Sequence, residues 1–101
     1  MRLEVGNVVF DAVHRRVEVG GRPVTLARRE LALLELLMRR PGRVLTRDAI
    51  EAHLYGFEEE VGPNAMEVNV HRVRRKLAAA GASAEIHTLR GVGYLMDARG
   101  S

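Results

Sequence analysis

Cysteine is absent from this 101-residue chain, which excludes disulfides, thiolate metal sites and thiol nucleophiles together. Aromatic residues amount to 4%, too few for the paired stacking positions on which single-stranded RNA recognition depends. No apolar run approaches the ~20 residues that a membrane-spanning helix needs. No basic, apolar, small-residue leader opens the chain. Cytoplasmic residence with no membrane partner is the expectation. The four histidines, His14, His53, His71 and His87, fall in separate segments without ligand spacing. Neither a phosphate-cradling glycine loop nor a nucleophile–base set is visible, so an enzyme, a metal and a cofactor are all unexpected. An excess of charge is also lacking: 16 Lys+Arg oppose 13 Asp+Glu, leaving a net +3. The total charge therefore names no partner, and only its distribution can.

That distribution is uneven. Arg72, Arg74, Arg75 and Lys76 fall within six positions that hold no acid, whereas Glu58-Glu59-Glu60 forms an acidic run in another segment. Apolar residues make up 47% of the chain, enough for a core in one small domain. We expect that domain to span residues 1–97. The tail 98–101, Ala98-Arg99-Gly100-Ser101, is given no structural role and has the look of an expression remnant.

Residues 3–24 read as short strands. Leu3, Val5, Val8, Phe10, Val17, Val19 and Val24 are punctuated by Gly6-Asn7 and Gly20-Gly21, and the second pair predicts a hairpin between Val17-Glu18-Val19 and Arg22-Pro23-Val24. From Ala27 to Arg40 the period changes: Leu31, Leu34, Met38 and Leu33, Leu37 recur at helical spacing until Pro41-Gly42. A second helix begins at Thr46, an N-cap residue, and turns Ala49, Ile50 and Leu54 inward. Tyr55 to Pro63 reads as a loop.

The third helix, over residues 64–77, carries most of the functional information. At about 100° per residue, Met66, Val70, Val73 and Leu77 lie within roughly 60° of one another and form a core stripe. Asn64, Val68, His71, Arg72 and Arg75 face the other way, with Arg74 and Lys76 on the flanks. Gly81 closes the helix. Glu85–Thr88 and Tyr94–Met96 follow as strands joined across Arg90-Gly91-Val92-Gly93. The predicted fold is α+β: a winged helix-turn-helix with an N-terminal antiparallel sheet, three helices and a C-terminal β-hairpin wing.

Four stretches carry a resemblance to a known family. Leu26-Ala27-Arg28-Arg29-Glu30, Gly42-Arg43-Val44-Leu45-Thr46-Arg47, Arg72-Val73-Arg74-Arg75-Lys76-Leu77 and Arg90-Gly91-Val92-Gly93-Tyr94 occur in the order and spacing of the OmpR/PhoB-type effector domain of bacterial two-component response regulators. The chain resembles that domain over nearly its whole length. The resemblance implies transcription regulation through sequence-specific binding of double-stranded DNA, with the third helix in the major groove and the wing in the minor groove. Tandem direct-repeat half-sites, a receiver domain outside this chain with its sensor kinase, and contact with RNA polymerase are implied as well.

Residue by residue, the resemblance places Arg72 at the base-reading position. An arginine fork pairs with guanine O6 and N7, and Val68 one turn earlier can press on a thymine methyl. Arg90 at the wing tip suits a narrow minor groove of enhanced negative potential. Arg47, at the N-terminus of the second helix, and Arg74 match phosphate contacts. Asn69, His71, Lys76 and Thr88 are further backbone candidates. For Lys76, as for Arg75, the alternative is a solvated helix end complementing the macrodipole. Asn64 either touches DNA or forms a capping box with Glu67. Tyr55, where many relatives have tryptophan, either reaches a phosphate or packs. Gly56, Phe57, Glu58, Glu59 and Glu60 belong to the loop that faces RNA polymerase in the family; here the acidic run either meets a basic partner or is solvated. One departure is Ala27, where relatives commonly have a threonine N-cap. The competing reading is a winged-helix protein-interaction module without a DNA role, which would show apolar anchors where this chain has Asn64, His71 and Arg72.

Overall fold

The computed structural model describes residues 1–56 and 61–98. Four short strands open the chain: β1 (Arg2–Val5), β2 (Val8–Asp11), β3 (Arg16–Val19) and β4 (Arg22–Val24), paired in sequence order as an antiparallel meander. The two-residue turn between β3 and β4 needs positive φ twice, and Gly20 (58°) with Gly21 (81°) supplies it. Alternation then does the rest. Val8 pairs with Val19 and Phe10 with Val17, so one face of the sheet is apolar and all four side chains are buried. Burying each of them contributes about 1.5–3 kcal/mol.

Against this sheet packs α1 (Arg28–Met38), and α2 (Arg47–Tyr55) and α3 (Ala65–Ala79) pack in turn on α1. From α1, Leu33, Leu34, Leu37 and Met38 reach the core, while Leu31 is only half-buried. Thr46 caps α2 as its sequence position predicts, accepting from the Ala49 N–H at 3.1 Å. Tyr55, expected in the following loop, is instead the last residue of α2 and is buried. The expected stripe of α3 (Met66, Val70, Val73, Leu77) is entirely buried.

A second sheet contains β5 (Leu45–Thr46), β6 (Ala84–Leu89) and β7 (Gly93–Ala98), ordered β5-β7-β6. The β6–β7 hairpin is the expected wing. Strand β5 was not foreseen, because two residues at a helix start carry no alternation. It fastens the wing to the helices: Leu45 pairs with Tyr94 and Thr46 with Gly93. The Gly42 N–H also donates to the Met96 carbonyl at 2.7 Å. Strand β7 runs on to Ala98, one residue beyond the expected domain end. The two sheets are joined through Asn7, in the β1–β2 turn. Its N–H donates to Ser83 Oγ at 2.8 Å, its Nδ2 to the Gly81 carbonyl at 3.1 Å, and its Oδ1 accepts from the Ser83 N–H at 2.7 Å.

Candidate nucleic-acid interface

Helix α3 is fixed at both ends and along its buried side. At its C-terminus Gly81 takes φ 80°, and the Ala82 N–H returns to the Leu77 carbonyl at 3.0 Å while the Gly81 N–H meets that of Ala78 at 3.1 Å. This is the paired arrangement in which a left-handed glycine satisfies the last carbonyls. In the last turn, Lys76 Nζ donates to Glu30 Oε1 at 2.6 Å. Glu30 is only 1% exposed, and it also accepts from the Ala27 N–H at 2.9 Å. Burial pushes the Glu30 carboxyl up, but the Lys76 hydrogen bond and then the Ala27 N–H outweigh it and hold the group below its ordinary range. Glu30 thus makes one half of a capping box. Ala27 has no side-chain acceptor for the other half.

The opposite side of α3 is uncovered. Asn64, Val68, His71, Arg72 and Arg75 are all exposed. Val68 is 41% exposed, on a helix whose core stripe is complete without it. Arg72 and Val68 line one groove with Arg29, Tyr55, Ala65 and Asn69. In that groove Tyr55 packs: its ring lies 4.8 Å beneath the Arg29 guanidinium, and its hydroxyl accepts from Asn69 Nδ2 at 2.6 Å.

Several other candidates also bond within the fold. Arg74 Nε donates to the Ile86 carbonyl at 2.9 Å, and its NH2 donates to Thr88 Oγ1 at 2.6 Å. One guanidinium therefore ties α3 to the wing and joins two of the predicted contacts. Lys76 is committed to Glu30, which accounts for it better than the helix dipole does. Asn64 makes no side-chain cap bond, so the capping-box alternative is set aside, and its partner Glu67 points elsewhere.

Glu67 pairs with Arg47, whose Nε also meets Glu51 Oε1 at 3.2 Å. The hydrogen bond that Arg47 donates to Glu67, above all, raises the Arg47 pKa beyond its ordinary value. Arg47 and Glu67 share a groove with Thr88 and the wing residues through Tyr94, and the Arg47 N–H donates to the Val92 carbonyl at 3.3 Å. Sequence reasoning missed this cluster; the only signal was an acid and a base at the starts of successive helices. At the wing tip Gly91 has φ 73°, the Val92 N–H closes the turn on the Leu89 carbonyl at 2.9 Å, and Arg90 and Val92 are exposed. Gly56 is exposed, while Phe57, Glu58, Glu59 and Glu60 lie outside the described residues. Among the described residues no group of three or more His, Asp or Glu is placed to hold a metal ion, and no helix is long and apolar enough to cross a membrane.

Residues 21–96 match the family model described as "Transcriptional regulatory protein, C terminal". The chain belongs to that family. The expected resemblance to OmpR/PhoB-type effector domains is thereby borne out, as is the winged-helix fold. The transcriptional regulatory protein QseB of Escherichia coli O157:H7 is 50% identical over 94 residues, which is 93% of this chain and 41% of QseB. The probable transcriptional regulatory protein y4xI of Sinorhizobium fredii is 44% identical over 95 residues, 94% of this chain and 42% of its own length. The chain thus spans about two fifths of these relatives. Among solved structures, the Klebsiella pneumoniae RstA DNA-binding domain in complex with the RstA box superposes with a TM-score of 0.81 at 30% identity, covering 95% of this chain and 96% of that one. The DNA-binding domain of CpxR from E. coli gives 0.81 at 28% identity, with 97% of each covered.

Proposed function

We propose that this domain binds double-stranded DNA sequence-specifically and regulates transcription as the output domain of a response regulator. The observation that carries the reading is the uncovered face of α3, where Val68 and Arg72 stand one turn apart on a helix whose other side is locked into the core. In this reading α3 enters the major groove, with Arg72 and Val68 on base edges. Arg90 enters the adjacent minor groove, and Arg47, Asn64, His71 and Thr88 engage the backbone. Arg74, Asn69, Lys76 and Tyr55 serve mainly by holding those elements in place. The relatives' names support a transcriptional regulator, and in this reading a receiver domain outside this chain answers to a sensor kinase. Half-sites arranged as direct repeats would be spaced about 10–10.5 bp apart. The loop beginning at Gly56 is the candidate surface for RNA polymerase.

The test is selection of bound duplexes from a random library, followed by affinities at two salt concentrations. The expected result is an enriched direct repeat with steep salt dependence. Enrichment of nothing, with binding at the non-specific level, would favour a protein-interaction module instead.

A further inference from the structure

The start of α2 is less cationic than its sequence suggests. Arg47 is the basic residue there, yet its guanidinium lies between two carboxylates, Glu51 on its own helix and Glu67 on α3. Two carboxylates thus face a single guanidinium, so the Arg47 charge is compensated within the fold, and Arg90 is the other cation lining this groove. Glu67 also keeps Oε2 buried with no hydrogen-bond partner, so its carboxylate depends on Arg47 for compensation. A place in the first turn of α3 suits an acid because of the helix dipole. That does not explain why its carboxylate reaches across to another helix.

Resting on the DNA reading above, we propose that Glu67 is a specificity-determining residue: it occupies Arg47 as an internal substitute for a phosphate. Random DNA gains little at this corner, because its phosphate must first displace a carboxylate already in place. A cognate duplex, seated by base contacts along α3, brings a phosphate to Arg47 at fixed geometry and makes the exchange. Glu67 thus lowers sequence-independent attraction more than it lowers operator affinity.

The test compares wild type, Glu67→Gln and the double variant Arg47→Gln/Glu67→Gln on a selected operator and a random duplex across a salt series. The same three proteins are eluted from heparin, a polyanion that needs no operator. Glu67→Gln is expected to bind random duplex several-fold more tightly, to steepen its salt slope by about one, and to leave heparin at higher salt. The double variant should lose these gains. Unchanged or weaker random-duplex binding and unchanged heparin elution in a folded Glu67→Gln protein would overturn the proposal and leave Glu67 a structural partner. Should that variant melt early, Glu67→Met, which keeps the stem and removes the same carboxylate, takes its place. It must then steepen the slope, and a flat response overturns the proposal equally. If wild type selects no sequence, the DNA reading falls, while heparin elution still reports whether Glu67 masks Arg47.

Discussion

Gly93 passes so close to Leu45 that a β-carbon on the glycine would stand 1.9 Å from the Leu45 carbonyl oxygen. The opposing atom is backbone and cannot swing aside. Gly93→Ala must therefore push β5 and β7 apart, and we expect a loss of about 1–3 kcal/mol or more. Urea denaturation measures it, and an unchanged midpoint would show that the two strands separate freely. Because β5 leads directly into α2, DNA affinity should fall with stability.

Ala27→Thr is expected to stabilise the fold by about 0.5–2 kcal/mol. Ala27 already holds the extended conformation of an N-cap, φ −69° and ψ 162°, so threonine enters without rearrangement and completes the box that Glu30 half-builds. A melting midpoint that stays level or drops would refute this.

The Glu30–Lys76 pair sets an acid limb in the stability profile. Burial raises the Glu30 carboxyl, but Lys76 and then the Ala27 N–H bring it below its ordinary 4.5. A group with a depressed folded pKa contributes stability that is present above its unfolded value and lost as pH falls through the folded one. Lys76→Met keeps the stem and removes the cation, leaving a buried acceptor short of a partner at about 1–3 kcal/mol near neutrality. Below pH 4.5 the loss seen in wild type should shrink or reverse in the variant, since burial alone would then raise Glu30. Identical acid limbs in the two proteins would count against the pairing.

Arg72→Ala should cost about 1–3 kcal/mol on the operator and relax base preference at one position. Equal losses on cognate and random DNA would remove Arg72 from direct readout.

Arg74→Ala should act first on the fold. Its guanidinium makes two hydrogen bonds to β6, and charged hydrogen bonds contribute about 1.5–3 kcal/mol each at most. We expect a lower melting midpoint together with weaker binding to all sequences, the latter because the wing is no longer tied to α3. A lowered salt slope with no loss of stability would instead make Arg74 a simple phosphate ligand.

Periodic features were legible in the chain because they repeat. The buried stripe Met66, Val70, Val73 and Leu77 follows the helical period, and the β3–β4 hairpin follows from two glycines that tolerate positive φ. Features that depend on a distant partner were not legible. Strand β5 is two residues long and exists because β7 offers Leu45 and Thr46 an edge to pair with. Lys76 reads as a solvated helix end until Glu30 is seen 46 positions earlier. Asn69 reads as a phosphate donor until the Tyr55 hydroxyl meets it. Asn64 and Glu67 satisfy the local pattern of a capping box, but an ion pair with Arg47 draws Glu67 away.

The three hydrogen bonds that Asn7 makes to Gly81 and Ser83 bear on how this domain comes into being. Asn7 and Ser83 are 76 positions apart, so during synthesis the first hairpin must wait for most of the chain to emerge before its turn can be clasped. Contacts of such separation form late and bind the ends of a chain into one cooperative unit. The N-terminal sheet and the wing should therefore mature together, and a fragment lacking either should be a substrate for proteases rather than a smaller working domain.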